Sequence, residues 1–359
     1  MDAKRTDEIW ILGATGNVGQ GLAGRLAAAR TPGVVLVGRS AERLASVADS
    51  LGAPVRTRQL ADFAEMLTAV QRDQPLVVVN LLGSYTETAI PLAQACMPEG
   101  NYVDLSIDFD TLSGLVDLHH EARAANSTII GGAGFGVLAT EALILRLCAG
   151  KPAPEQVQID ALSSYAPQDG VMGEALAVTA VDVMSMGGRA YREGRLTPVP
   201  LGSNLRKHAL PDGTAVKSAA VPSGELFAAR RASNAPTIDF TSALAPTSPL
   251  IRPALPLLSR LLKIPSMRRL MVSSMAASKT RRAPRPRPHS WGHAVVDWAD
   301  GTRRESWLRA GDAMDYTADV LAVVVHALRN GTPPRGAYTP AAALGPGLAT
   351  DAGATLLDD

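Results

Sequence analysis

The stretch from Glu8 to Arg39 constrains this chain more than any other. A strand-sized apolar run, Ile9-Trp10-Ile11-Leu12, leads into Gly13-Ala14-Thr15-Gly16-Asn17-Val18-Gly19. A helix-forming stretch from Gln20 to Arg30 follows, then a second apolar run, Val34-Val35-Leu36-Val37, closed by Gly38-Arg39-Ser40. Strand, glycine turn, helix and strand in that order form the opening βαβ unit of a dinucleotide-binding fold.

Each glycine has an expected task. Gly13 permits the tight turn out of the strand, Gly16 lets a pyrophosphate approach the backbone, and Gly19 lets the helix pack closely on the sheet. The N–H groups of the first helical turn, near Asn17 and Val18, are expected to face the phosphates with the positive end of the helix dipole, and Thr15 belongs to the same turn. The spacing is GxxGxxG rather than GxGxxG, so its weight comes from its setting between a strand and a helix. The end of the second strand then selects the cofactor. An acidic residue there would take the ribose 2′-hydroxyl of NAD; this chain has Arg39, Ser40 and, one turn on, Arg43. Arginine matches a 2′-phosphate through bidentate hydrogen bonds, so NADP is expected.

With 359 residues the chain is long enough for two domains, and at 46% hydrophobic residues it can bury a large core. A net charge of +1 gives no global attraction for nucleic acid. Cys96 and Cys148, far apart and in apolar helical settings, are expected to be buried reduced thiols of a cytosolic protein. The short polar start is not read as a signal peptide, and no apolar run reaches membrane-spanning length.

Helices are expected at Ala41–Gly52, Ala61–Arg72, Thr86–Met97, Phe109–Asn126 and Thr140–Cys148, and strands at Val55–Gln59, Leu76–Val79, Asn101–Leu105 and Thr128–Ile130. Asn80-Leu81-Leu82-Gly83 follows the Leu76–Val79 strand, where open α/β sheets bind ligands, so Asn80, Leu81 and Gly83 are candidate cofactor contacts. For Asn80 a loop-capping role stands beside that reading. A second glycine turn, Gly131 to Gly136, follows Ile130.

These stretches resemble the saccharopine dehydrogenase-like oxidoreductases, a group that includes saccharopine dehydrogenases and trans-acting enoyl reductases. The resemblance rests on ILGATGNVGQGLAGRLA, VVLVGRSAERL, VVVNLLGSYTETAIPLAQAC, NYVDLS and GGAGFGVLATEAL, and more weakly on SWGHAVVDWADGTRRESWL and the helix at Tyr316–Gly331. It implies an α/β protein: an N-terminal Rossmann domain with a doubly wound parallel sheet (1–148), an inserted α+β substrate and dimerisation domain (149–315), and a C-terminal helix returning to the Rossmann side with a tail (316–359). It also implies a homodimer. Three loops depart from the group's pattern, at Gly83-Ser84-Tyr85, Ser106-Ile107 and Gly134-Phe135-Gly136.

In the second domain, Val157–Tyr165 reads as a strand and Gly173–Gly188 as a helix, with Met172, Met184 and Met186 as core filler. Ala219–Ala229 reads as antiparallel sheet, as do His293–Trp298 and Arg303–Leu308 joined across Asp300-Gly301. From Thr241 to Val296 there are ten Lys or Arg and no Asp or Glu. Within it, Leu255, Leu257, Leu258, Leu261, Leu262 and Ile264 alternate with Arg252, Arg260 and Lys263, broken by Pro253, Pro256 and Pro265. That pattern fits a lid over an apolar channel, a membrane-surface contact, a dock for an acidic carrier protein, or a solvated helical excursion. Arg281–Pro288 reads as a Pro-rich linker.

A reductase needs a proton source beside the nicotinamide. Tyr85, Tyr165 and His208 are the candidates, the last in the polar segment Arg206-Lys207-His208; His119 and His120 read as structural or exposed on a helix face, and His293 and His326 fall in expected regular structure. No metal-ligand spacing and no nucleophile elbow is present, so no metal is expected. The expected activity is hydride transfer from NADPH to a C=N or C=C bond of a small-molecule, carrier-tethered or lipid-type substrate. A large apolar substrate, with Leu250–Met275 at its entrance, is favoured by the basic apolar stretch. A non-catalytic NADP-sensing or scaffold protein is the alternative.

Overall fold

The structure is a computed structural model that describes residues 6–166, 170–171, 174–245, 247–248, 255–280 and 284–358. Met172, Leu250, Arg252, Pro253 and the start of the Arg281–Pro288 stretch lie outside them. The chain divides into two units: 1–106, 110–135 and 314–353 form one, and 107–109, 136–313 and 354–359 the other.

In the first unit, strands β1 (Thr6–Leu12), β2 (Val34–Gly38), β3 (Arg56–Gln59), β4 (Pro75–Asn80), β5 (Asn101–Asp104) and β6 (Thr128–Ile130) alternate with helices α1 (Asn17–Ala28), α2 (Ala41–Ser50), α3 (Phe63–Asp73), α4 (Tyr85–Ala95), α5 (Phe109–Asp117) and α6 (His119–Ala124). The strands are parallel throughout, in the order β6-β5-β4-β1-β2-β3. Both faces are covered, which is why β2 and the ends of β1 and β4 are unbroken buried apolar runs. Trp10, Val35, Val78, Leu92 and Tyr102 form part of the core on one face. The stretch expected as one helix from Phe109 to Asn126 is two, because Leu118 leaves helical ψ (ψ 2).

The second unit begins with α7 (Phe135–Leu147) and continues through β7 (Gln156–Leu162), β8 (Gly170–Val171), α8 (Glu174–Met186), β9 (Gly188–Arg192), β10 (Arg195–Val199), β11 (Arg206–Ala209), β12 (Ala215–Ser218), α9 (Glu225–Ser233), β13 (Thr237–Ser242), α10 (Leu255–Leu261), α11 (Pro265–Ala276), β14 (Lys279–Thr280), β15 (Ser290–Asp297) and β16 (Arg303–Ala310). The chain then adds α12 (Ala313–Arg329), β17 (Gly336–Tyr338), α13 (Pro340–Leu344), α14 (Leu348–Asp351) and β18 (Thr355–Asp358). Strand β17 extends the first sheet beside β6. Strand β18 completes a mixed second sheet, β10-β9-β13-β7-β15-β16-β18.

The expected Asp-Gly hairpin forms, with Asp297 opposite Arg303 and Trp291 opposite Arg309. The expected strand Ala219–Ala229 does not form. Ala219 makes one bridge to Ser242; Pro222-Ser223-Gly224 turns the chain, and α9 buries Leu226, Phe227, Ala228 and Ala229. A short unbroken apolar run reads the same for a buried helix as for a strand. Cys96 is buried as expected, whereas Cys148 is only half-buried; both are free thiols. Met184 and Met186 are half-buried. Among the described residues, no helix is long and apolar enough to cross a membrane.

Candidate functional site

The glycine turn sits where the strand order reverses. From β1 the sheet runs outward through β2 and β3 on one side and through β4, β5 and β6 on the other. At such a switch point the loops leaving adjacent strands diverge and open a crevice. Gly13 has φ +83, and a Cβ there would stand 2.6 Å from the Leu81 carbonyl oxygen. The loop after β4 is held against it by the Leu81 N–H, which donates to Leu12 O at 2.9 Å. A Cβ on Gly19 would meet Gly13 O at 2.5 Å, so this glycine serves helix–turn packing. Gly16 differs from both. Its backbone is extended (φ −79, ψ 164), and a Cβ there would have only Gly13 O nearby, at 3.4 Å. Gly16 and Asn17 are exposed, Thr15 and Val18 half-buried. No side chain caps α1 and no acidic residue lies in its first turn, so its leading N–H groups suit an anion. The turn therefore fits a pyrophosphate.

At the end of β2, Arg39 is exposed, and its carbonyl accepts from Gln59 Nε2 at 3.2 Å. Ser40 caps α2, its hydroxyl accepting the Arg43 N–H at 3.3 Å. Arg43 is exposed on the same turn.

Behind β4 lies a buried polar chain that sequence reasoning did not foresee. Asn80 donates to Thr88 Oγ1 (3.1 Å) and Tyr102 OH (2.9 Å), and its Oδ1 accepts the Leu82 N–H (3.2 Å). Both amide ends are thus engaged inside the first unit, which is a loop-capping arrangement. The Tyr102 hydroxyl donates on to Asp104 Oδ2 at 2.9 Å. Asp104 Oδ1 accepts the N–H groups of Gly132 (2.9 Å) and Ser106 (3.0 Å) and the Ser106 hydroxyl (2.7 Å). Burial pushes the Asp104 carboxyl up, against those hydrogen bonds, which hold it down. Tyr85, at the start of α4, is half-buried; burial, and then the Asp104 charge, push its phenol well up, so it stays protonated at neutral pH. Gly83 (φ +74) and Ser84 (φ +45) make the left-handed turn that presents it.

The second unit holds a separate cluster on one face of its sheet. Asp160 on β7 is fully buried. It accepts from Arg206 (2.9 Å), from Thr241 and from Gln158 (3.3 Å), and meets His293 Nδ1 at 2.8 Å. His293 Nε2 reaches Glu305 at 2.9 Å, and its ring stacks on Trp307 at 3.9 Å. His208 Nε2 lies 2.8 Å from Ser218 Oγ and 3.8 Å from Asp160. Burial alone would raise the Asp160 carboxyl, but the His293 hydrogen bond and the Arg206 charge bring it to about 2. Burial pushes His208 down, against the pull of Asp160. The ligand atoms of Asp160, His208 and His293 lie within 4.8 Å of one another, a spacing found in metal sites. Here the Arg206 guanidinium supplies the positive charge, and both carboxylate oxygens have donors. The members come from β7, β13, β15 and β16 of the second sheet and from β11 and β12, which pair as a separate two-stranded sheet, so only tertiary structure brings them together. The expectation of catalysis by His208 meets a ring turned into this buried network. Tyr165 lies half-buried past the end of β7.

Another buried carboxyl, Glu225, opens α9. Ser223 donates to it, and burial pushes it up. Its Oε1 fills the place a Cβ on Gly136 would occupy, which explains the glycine there.

No family model matches the chain. It is 33% identical over 150 residues to a trans-acting enoyl reductase of Mycobacterium leprae, covering 40% of this chain and 36% of that protein. It is 32% identical over 182 residues to one of Mycobacterium ulcerans, covering 47% and 38%. The chain thus matches little more than a third of the length of these relatives. Apo saccharopine dehydrogenase (L-Glu forming) from Saccharomyces cerevisiae superposes with a TM-score of 0.63 at 14% identity, over 98% of this chain and 100% of that one. In fold, therefore, the chain is saccharopine dehydrogenase-like, and in sequence it is similar to the trans-acting enoyl reductases.

Proposed function

We propose that the chain is an NADP-dependent reductase that delivers a hydride to an unsaturated bond of an organic substrate. The observation that carries this reading is Gly16, extended, exposed and open, at the switch point of a parallel sheet and at the uncapped start of α1. NADPH, when bound, supplies the hydride; the chain supplies placement and a proton. The N–H groups of Asn17 and Val18 hold the pyrophosphate, with Thr15 and Gly16 leaving room for it and Gly13 and Gly19 shaping the turn. Arg39, with Arg43 beside it, takes the 2′-phosphate, and Ser40 orients that loop by capping α2. Leu81 and Gly83 form the wall beside the turn, and Asn80 holds that wall from within.

Tyr85 is the proton donor in this reading. Its phenol stays neutral, and the turn at Gly83-Ser84 sets it beside the wall residues. His208 and Tyr165 serve in the second unit, His208 by completing the Asp160 network. The name carried by the mycobacterial relatives favours a C=C bond over a C=N bond as the acceptor.

Loss of NADPH absorbance against a panel of enoyl thioesters and cyclic imines tests the proposal. Turnover of an enoyl member is expected. NADPH binding without turnover of any member would support the non-catalytic NADP-sensing reading instead, and absence of NADPH binding would overturn both.

A further inference from the structure

Helices α10 and α11 present an unusual surface. Among the described residues, five large aliphatic side chains on this short stretch are exposed: Leu257 (62%), Leu261 (38%), Ile264 (47%), Met267 (39%) and Leu270 (63%). Single exposed aliphatics are ordinary; five within fourteen positions are not. Leu257 and Leu261 are one turn apart on α10, as are Met267 and Leu270 on α11, so each pair shares a helix face. Helix α11 buries no residue fully; its Arg268, Met271, Val272, Met275 and Ala276 are the half-buried positions. Arg268 pairs with Asp182 of α8 at 2.7 Å, which anchors the helix on that side.

The charge on the outer side has one sign. Arg260, Lys263 and Arg269 are exposed, each directly before one of the exposed aliphatics, and among the described residues none makes an ion pair. No Asp or Glu occurs between Thr241 and Val296. A second copy of this chain is a poor occupant, because a twofold contact would set these cations against themselves. Nucleic acid is a poor occupant too, since α10 and α11 carry no aromatic side chain on which a base would stack. Exposed aliphatics interleaved with unpaired cations match a surface that is anionic outside and hydrocarbon beneath.

We propose that α10 and α11 dock this protein on an anionic lipid bilayer, with Leu257, Leu261, Ile264, Met267 and Leu270 entering the acyl boundary and Arg260, Lys263 and Arg269 meeting the headgroup phosphates. The surface belongs to the second unit and the glycine turn to the first, and no residue is shared between them, so the proposal does not depend on the reductase reading.

Flotation of the full chain with vesicles tests it. Vesicles of equal phosphatidylglycerol and phosphatidylcholine should bind the protein at low salt and release much of it at high salt, and pure phosphatidylcholine should bind it weakly. The triple change Arg260→Gln, Lys263→Gln and Arg269→Gln should weaken partitioning about a hundredfold. The double change Leu257→Ser and Leu270→Ser should weaken it about tenfold or more. All these positions are exposed, and a thermal melt checks that each variant is folded; the wild-type salt and lipid dependence stands without the variants. Failure of the wild type to bind anionic vesicles at low salt would overturn the proposal, including the case in which it binds an acidic carrier protein instead. So would binding that the serine variant leaves unchanged, because the surface would then act by charge alone.

Discussion

His293 bridges two carboxylates, with Nδ1 2.8 Å from Asp160 and Nε2 2.9 Å from Glu305, while its ring lies on Trp307. A buried carboxylate is tolerable only when cations and donors surround it, and Asp160 has Arg206, His293 and Thr241 for that. Asp160→Ala should therefore destabilise the second unit by about 3–5 kcal/mol, because Arg206 loses its counter-charge and His293 and Thr241 lose a hydrogen-bond partner. Chemical denaturation of the variant against wild type checks this; a loss near zero would show the network to be dispensable.

The same cluster sets a pH dependence. His208 has a folded pKa below its unfolded value, so the unfolded chain binds the proton more readily. Its contribution is present above the unfolded value of about 6.5 and is lost as pH falls below that value. The wild type should lose stability on acidification from neutral pH, and His208→Asn should flatten that slope in melts taken across the range. An unchanged slope would remove His208 as its source.

Gly13 and Gly16, three positions apart, should respond in opposite ways to substitution. Gly16→Val places a side chain into open space at an ordinary backbone conformation, so the fold should survive while NADPH binding is lost. Gly13→Ala meets the Leu81 carbonyl and a positive φ, so the fold itself should weaken, by about 1 kcal/mol or more. Calorimetry with NADPH and thermal melts separate the two; normal NADPH affinity in Gly16→Val would move the phosphate site elsewhere.

Arg39→Asp should reverse much of the preference for NADPH over NADH. A lost charge-assisted phosphate contact costs about 1.5–3 kcal/mol, roughly ten- to a hundredfold in affinity. Fluorescence titration of both nucleotides reads this directly, and equal affinities in the wild type would end the argument from Arg39.

Tyr85→Phe should leave NADPH affinity unchanged and lower turnover by roughly 10²–10⁴-fold, the usual range for a lost general acid. An undiminished rate would assign the proton to another group.

The first unit was legible in the sequence because its signals are local. Glycines that must adopt φ > 0 or admit a close neighbour, and β-branched runs buried on both faces, announce themselves within a few residues. The glycine turn, β2 and β4 accordingly stand within a residue of their expected places, and β1 ends where expected but begins three residues before its apolar run, at Thr6. The Asp297–Arg303 hairpin was legible for the same reason, through Asp300-Gly301. Tertiary structure decided the rest. Nothing near Asn80 or Asp104 in the chain says that their side chains join through Tyr102, because β4 and β5 must first pair. The Leu226–Ala229 run could be strand or helix until packing chose a helix. Asp160, His208 and His293 are unremarkable in their own strands. They become one charged network only when β15 pairs with β7 and the β11–β12 hairpin packs over them, since a buried charge finds its partners in space and not along a chain.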